Sequence, residues 1–289
     1  MPTLSLLATQ AVHGLVYGML LFLVASGLTL VFGMMRILNM AHASFYMLGA
    51  YVAVSVVAHT GSFVMALFVA PLAVGILGSL VERFLLRYVG ERGHVAELLL
   101  TFGLFFIVGE AVLWIWGSFP LQLQPPAELA GSVPLLGARY PVYRLFIFGF
   151  ATLLCGALAL VLLRTRIGII IRSAVSDGEM VAALGINTSL VRLSVFGAGA
   201  ALAALAGAIA APFLQADPTM ASAVLIDAFV VVVIGGFGSL FGAFVAALLL
   251  GQLQSFGVLF IPDLAIVFEF LLMAVVLIVR PQGLFGEAT

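Results

Sequence analysis

Lysine is absent from this chain. All 11 cationic residues are arginine, which fits a GC-rich coding sequence and points to no particular chemistry. Cysteine occurs once, at Cys155 inside an apolar run. That excludes an internal disulfide and a cysteine-based metal site. Charge of either sign is scarce, at 8% of residues, where soluble domains carry about a quarter. An ordinary soluble domain is therefore excluded. No arginine cluster is large enough to suggest a nucleic-acid partner. The four histidines, at 13, 42, 59 and 94, are scattered, so no metal site is expected. No catalytic triad is visible, and no Lys-Ser/Thr follows the glycine-rich stretch at 235–239, so nucleotide binding there is excluded. Neither an enzyme nor a resident cofactor is expected.

What the chain has is apolar length. Of its 289 residues 64% are hydrophobic, in runs long enough to cross a bilayer core with about 20 residues each. The expected fold is an all-α polytopic membrane protein, one transmembrane domain over residues 1–289. The N-terminus lacks a basic leader and a small-residue cleavage site, so the first run, Ala11–Phe32, reads as a retained span. Gly33 and Arg36 interrupt it, and a second run follows from Ile37 to Ala58 with Asn39, His42 and Ser44 at its head. Polar residues at the head of a membrane run suggest a broken helix. Further spans are expected at Phe63–Val81, Ala96–Trp116, Val142–Leu163 and Leu193–Ala211. The last of these is nearly all Ala and Gly from Gly197 onward, which suits a helix buried in the bundle. A charged loop is expected at 82–94 and an extended, proline-rich loop at 118–141. The final span is Leu264–Val279.

Arginine orients the chain. Arg83, Arg87 and Arg92 in one loop and Arg164, Arg166, Arg172 and Arg192 in another fall on the same side, while the loop at 118–141 holds only Arg139. The positive-inside rule places the first two loops in the cytoplasm and the N-terminus outside. The run 224–250 is broken at Gly235, Gly236, Gly238 and Ser239, where a chain reversal buried in protein would need residues without Cβ. A re-entrant pair is expected there in preference to two full spans, on the ground that it brings Arg280 and the C-terminus inside. That makes about eight membrane segments.

Between Arg164 and Arg192 lies the longest stretch that is neither span nor idle loop. Ser176-x-x-Glu179 reads as a capping box and Gly185 as the residue after a helix end. A capped helix of about eight residues on the basic side suggests a part that docks onto something soluble. Asn39 and His42 are candidates for lining a path, since polar groups at membrane depth are costly without a role. Glu110, Asp227 and Glu269 lie in apolar runs and read as structural hydrogen-bond acceptors inside the bundle. Their alternative role is proton coupling in a secondary transporter.

Several motifs in order resemble one family. They are Tyr17-Gly18 with Gly27-x-Thr29, and Ile37-Leu38-Asn39-Met40-Ala41-His42 with Gly49-Ala50-Tyr51. Glu82-Arg83, Arg166-x-Gly168 and Ala182-Ala183-Leu184-Gly185-Ile186-Asn187-Thr188 follow. Gly235-Gly236-x-Gly238-Ser239-x-x-Gly242-Ala243 and Pro281-x-Gly283-Leu284-Phe285-Gly286 complete the set. Over almost its whole length the chain resembles the LivH-type permease of branched-chain amino-acid ABC importers. It departs at Ala43 and Ser44, where the family usually has Gly and often an acidic residue. The resemblance implies a type II importer architecture in a bacterial inner membrane. It implies a second permease, two cytoplasmic ATP-binding subunits, a periplasmic solute-binding protein and an amino-acid-like solute as partners. Residues 164–192 would carry the coupling helix, with Asp177, Glu179, Met180, Ala183, Leu184 and Gly185 against an ATPase. Asn39, His42, Ser44 and Tyr46, with Gly235, Gly236, Gly238 and Ser239, would line or shape the translocation path.

Overall fold

The computed structural model describes residues 4–90, 92–135 and 138–286. Helix α1 runs from Leu4 to Met35, longer at both ends than the apolar run suggested. α2 (His42–Thr60) and α3 (Phe63–Val81) follow, joined by Gly61 in the left-handed region and by Ser62, whose hydroxyl accepts from the Met65 N–H. The charged loop expected at 82–94 is mostly helix. α3 continues through a π turn at Glu82–Leu86 into α4 (Arg87–Gly90), so residues 63–90 form one apolar rod. The arginines there sit on a helix end, where their alkyl stems extend apolar surface and their heads reach water. α5 (His94–Trp116) ends at the proline-rich segment, which pairs β1 (Ser132–Leu135) with β2 (Ala138–Pro141) as an antiparallel hairpin. α6 (Val142–Arg164) leads to α7 (Arg166–Ser176), α8 (Gly178–Ala183) and α9 (Thr188–Leu214). α10 (Met220–Gly235), α11 (Leu240–Phe260) and α12 (Ala265–Val279) complete the chain. Seven of these helices are long and apolar enough to cross a membrane, with α10 and α12 shorter apolar helices beside them.

Small residues set the packing. α9 is central, with 67% of its apolar window buried, as its Ala/Gly content led us to expect. Its glycines each admit a different neighbour. A Cβ on Gly197 would meet Ser79 of α3, on Gly199 Val31 of α1, and on Gly207 the Tyr46 carbonyl of α2. Without a hydrophobic force between helices in lipid, such close approach supplies the van der Waals contact that holds a bundle. α1 is even more enclosed, at 78% of its window. It runs antiparallel to α11 from Gln10 beside Ser255 to Gly33 beside Gly238. Over that length α1 rises about 35 Å, so α11 travels the thickness of a bilayer core of about 30 Å.

The pair α10–α11 reverses at the glycines as expected. The ground given for a re-entrant dip does not hold, because two crossings also return the chain to its starting side. Arg280 therefore shares an end with α7 and α8 on either path. Leu30 and Met34 of α1 pack against the cluster of Ala174, Val181, Val191 and Val195, as do Ile170 and Ile171, and Gly238 and the C-terminal Gly286 lie beside Gly33 and Gly236 respectively. This is the arginine-rich end of the molecule. The other carries the β hairpin.

Candidate functional site

The break between α1 and α2 lies inside the bundle. Arg36 takes a positive φ of 55°, residues 37–41 are non-helical, and α2 starts at His42, which is 1% exposed. His42 lies beside Gly27, eight residues and about 12 Å from the end of α1. Its Nε2 is 3.0 Å from the Val24 carbonyl oxygen. That carbonyl can only accept, so Nε2 carries the proton and Nδ1 is an acceptor. Nδ1 is buried without a partner, and so are both side-chain polar atoms of Asn39, which is 2% exposed. Asn39 caps nothing: the residue before α2 is Ala41, with no side-chain cap. Irregular backbone at membrane depth is tolerated only in protein or along a cavity. Here the Leu38 carbonyl lies 3.5 Å from the Thr101 hydroxyl of α5, and Ser44 donates to the Phe105 carbonyl at 3.4 Å. Ser44 therefore faces α5, whereas Tyr46 lies in the electrostatic reach of Asp227 on α10.

The glycine turn closes the same end. Gly236 and Gly238 have φ of 100° and 79°, values that only glycine adopts without strain. Ser239 is the N-cap of α11, its hydroxyl accepting from Gly242 N–H at 3.1 Å. These residues shape the turn. Phe237 stacks against Phe32 with ring centroids 4.5 Å apart. The C-terminal segment then folds back onto the turn. Leu284 N–H donates to the Ile234 carbonyl at 2.8 Å and Phe285 N–H to Gly235 at 3.1 Å. Carbonyls at a helix end need donors when water is far away, and a distant part of the chain supplies them. The glycine motif and the Pro281–Gly286 motif are thus two halves of one joint.

The coupling segment is two helices. Ser176 ends α7 and caps nothing; Asp177 caps α8, its carboxylate accepting from Met180 N–H at 2.9 Å. The carboxylate of Asp177 reaches the second residue beyond α8's first, which the Ser176 hydroxyl, still inside α7, cannot do. α8 has six residues. Gly185, at φ 84°, closes it, with Ile186 N–H to the Val181 carbonyl and Gly185 N–H to Ala182, the paired bonds of a Schellman end. Asp177, Glu179, Met180, Ala183, Leu184 and Gly185 are all exposed, Met180 at 58% and Leu184 at 73%. On the opposite face Val181 is buried with Ala174, Val191 and Val195, against Leu30 and Met34 of α1.

A polar cluster that the sequence reading did not assemble lies toward the hairpin end. The Tyr17 hydroxyl donates to Asp227 at 2.7 Å, with Tyr46 and Glu269 in electrostatic range. Nearby, Arg144 Nη1 is 2.5 Å from His13 Nδ1, and the guanidinium lies over the Phe213 ring, 4.7 Å from its centroid. The Tyr140 hydroxyl is 3.1 Å from the same nitrogen, and burial lifts that phenol above its usual range. Arginine only donates, so Nδ1 accepts. The one sequence signal was an arginine just inside an apolar span. Glu110, expected inside the bundle, is exposed on α5, while Glu269 is 6% exposed.

A family model described as branched-chain amino acid transport system / permease component matches residues 10–279. The chain is 30% identical to the high-affinity branched-chain amino acid transport system permease protein BraD of Pseudomonas aeruginosa, covering 99% of this chain and 98% of that one. It is 28% identical to the corresponding LivH of Escherichia coli, over 96% and 95% of the two chains. With a probable branched-chain amino acid transport permease protein LivH of Methanocaldococcus jannaschii it shares 25% identity, over 94% and 90%. No solved structure matches.

Proposed function

The chain belongs to the branched-chain amino acid transport system permease family, and from that premise we propose that it is the translocating subunit of a binding-protein-dependent ABC importer. The solutes are branched-chain or other hydrophobic amino acids. The chain hydrolyses nothing itself. It pairs with a second permease, sits on two cytoplasmic ATPases and receives solute from a periplasmic binding protein. It lies in the bacterial inner membrane, N-terminus outside and C-terminus inside, as the arginine distribution requires.

One observation carries this reading. α8 presents Met180 and Leu184 to water while Val181 buries it in a cluster with Ala174 of α7 and Val191 and Val195 of α9, against which Leu30 and Met34 of α1 pack. Exposed apolar side chains on a short capped helix suit a groove in a soluble partner. ATP binding closes the ATPase pair and moves α8. Through Leu30 and Met34 that motion reaches the end of α1, where the break at 36–41 and the turn at 236–239 lie. Two irregular segments there can change conformation without unwinding a helix, which is what alternating access needs. Asn39 and His42, with unpaired polar atoms, offer groups to a passing solute. Residues 164–192 act as the coupling segment of a single domain.

The test is uptake into liposomes, with and without ATPases and binding protein, against leucine, aromatic amino acids, short amides and urea. ATP-dependent uptake only in the full assembly is expected. Uptake by this chain alone would favour a proton-coupled carrier and direct mutation to Glu269.

A further inference from the structure

Glu110 points away from the bundle, from within an apolar helix. α5 is about 35 Å long, and Glu110 lies six residues before its end at Trp116, about 9 Å along the axis. Against a hydrocarbon core of about 30 Å, the carboxylate sits inside the core. It is one turn deeper than exposed Trp114, an aromatic of the kind that marks the membrane interface. Its stem is too short to reach headgroup water from there, as the long stems of lysine and arginine can. Among the described residues no cation pairs with it. The other carboxylate of α5, Glu97, is buried and lies 3.3 Å from His94.

Contacts on the opposite face of α5 fix this outward aim. Trp116 Nε1 donates to the Ser55 hydroxyl of α2 at 2.7 Å, and Thr101 and Phe105 meet Leu38 and Ser44. Leu99, Gly103, Phe106, Glu110 and Trp114 follow one another at spacings of three and four, so they share the face turned from α2. Leu99, Phe106 and Trp114 are exposed, and a Cβ on Gly103 would meet nothing. The stripe runs about 22 Å, and only 11% of the apolar window of α5 is buried in this chain. Lipid covers the apolar members of the stripe but does not satisfy the carboxylate, and ionisable groups at membrane depth face protein or water.

A second copy of this chain does not supply the missing group. Turned about a twofold axis, α5 packed on α5 sets Glu110 against Glu110 at equal depth. The arginines toward the hairpin end are Arg139, on β2, and Arg144, which His13 and the Phe213 ring already hold. We infer that the outer face of α5 packs in the bilayer against a helix of the second permease, and that this helix presents a cationic side chain to Glu110. The inference rests on the importer reading for the presence of that subunit. α5 then stands between the partner and the broken start of α2.

The test uses the whole assembly in the membranes of the cell that makes it, with a benzophenone amino acid at Phe106. Photolysis is expected to join this chain to a second polytopic chain, at a peptide apolar apart from one arginine or lysine. Glu110→Arg should lower the co-purified second permease at least tenfold, and exchanging the mapped cation for glutamate should restore it to within twofold. Glu110→Leu should also lower co-purification while keeping or raising the melting temperature of the isolated chain, which a role inside this chain would lower. If Glu110→Arg does not insert, the adduct and Glu110→Leu still decide. Adducts with lipid alone, adducts with another copy of this chain, a charge exchange without rescue, or assembly indifferent to both substitutions overturn the inference. ATP-dependent uptake in any of those cases leaves the importer reading standing. A successful charge exchange in an assembly that takes up nothing removes that reading and keeps the interface.

Discussion

Asn39 is 2% exposed and neither polar atom of its side chain has a partner. Leaving such a group unpaired costs about 1–3 kcal/mol, and a leucine would fill the same space without that cost. Asn39→Leu should therefore keep or raise the melting temperature of the detergent-purified chain while lowering ATP-driven uptake at least tenfold. A lower melting temperature with normal uptake per folded molecule would make Asn39 a structural residue. The glycines divide on similar local grounds. A Cβ at Gly49 would sit 2.1 Å from the Ala204 carbonyl oxygen, whereas Gly149 and Gly156 on α6 face open space. Nothing in their own sequence neighbourhoods separates the two kinds, because the obstacle at Gly49 belongs to a helix some 150 residues away (Thr188–Leu214).

α8 has one exposed apolar face and one buried face. Its cap is one residue later than the capping-box pattern indicated, because α7 continues through Ser176 and leaves Asp177 at the junction. Ala183 is exposed on the face shared with Met180 and Leu184. Ala183→Trp should block seating in the ATPase groove without disturbing the membrane core. The expected outcome is an assembly of normal yield whose ATPase activity no longer rises with loaded binding protein, and whose uptake falls to background. Wild-type uptake in that variant would remove α8 as the coupling element. The joint between 234–236 and 283–286 belongs to this scale too. Both motifs are visible in the sequence, but their mutual hydrogen bonds are not, since backbone donors leave no residue-type signature.

At the scale of the molecule, the arginine-rich end collects α7, α8, both irregular turns and the C-terminal segment. The hairpin end holds the pairs of Tyr17 with Asp227 and Arg144 with His13. The proposed orientation makes opposite predictions for the two. In a chain with Cys155 replaced by serine, a cysteine at Asp177 should react with a membrane-impermeant maleimide only in inside-out vesicles. A cysteine at Ser132, exposed on β1, should react only in right-side-out ones. The reverse pattern would invert the topology.

Composition alone determined that this is a multi-pass helical bundle. A chain 64% hydrophobic and 8% charged, with apolar runs of about 20 residues, satisfies its backbone in lipid as helices and not as the alternating strands of a barrel. Run lengths placed the spans, the Ala/Gly content of α9 announced its central position, and arginine placement put the 82–92 and 164–192 segments at one end of the molecule. The broken helix at Asn39–His42 was legible because polar residues interrupted an apolar run, and the reversal at 235–239 because glycine did. Only the tertiary structure decided how α1 and α11 pair, that α3 continues through the arginines, and that Glu110 faces out. It also brought Tyr17 to Asp227 and Arg144 to His13, across separations of 210 and 131 residues. The reason is physical. In a membrane both faces of a helix are apolar, so periodicity does not tell the buried face from the lipid-facing one, and the choice of neighbour falls to the fit of small residues against one another.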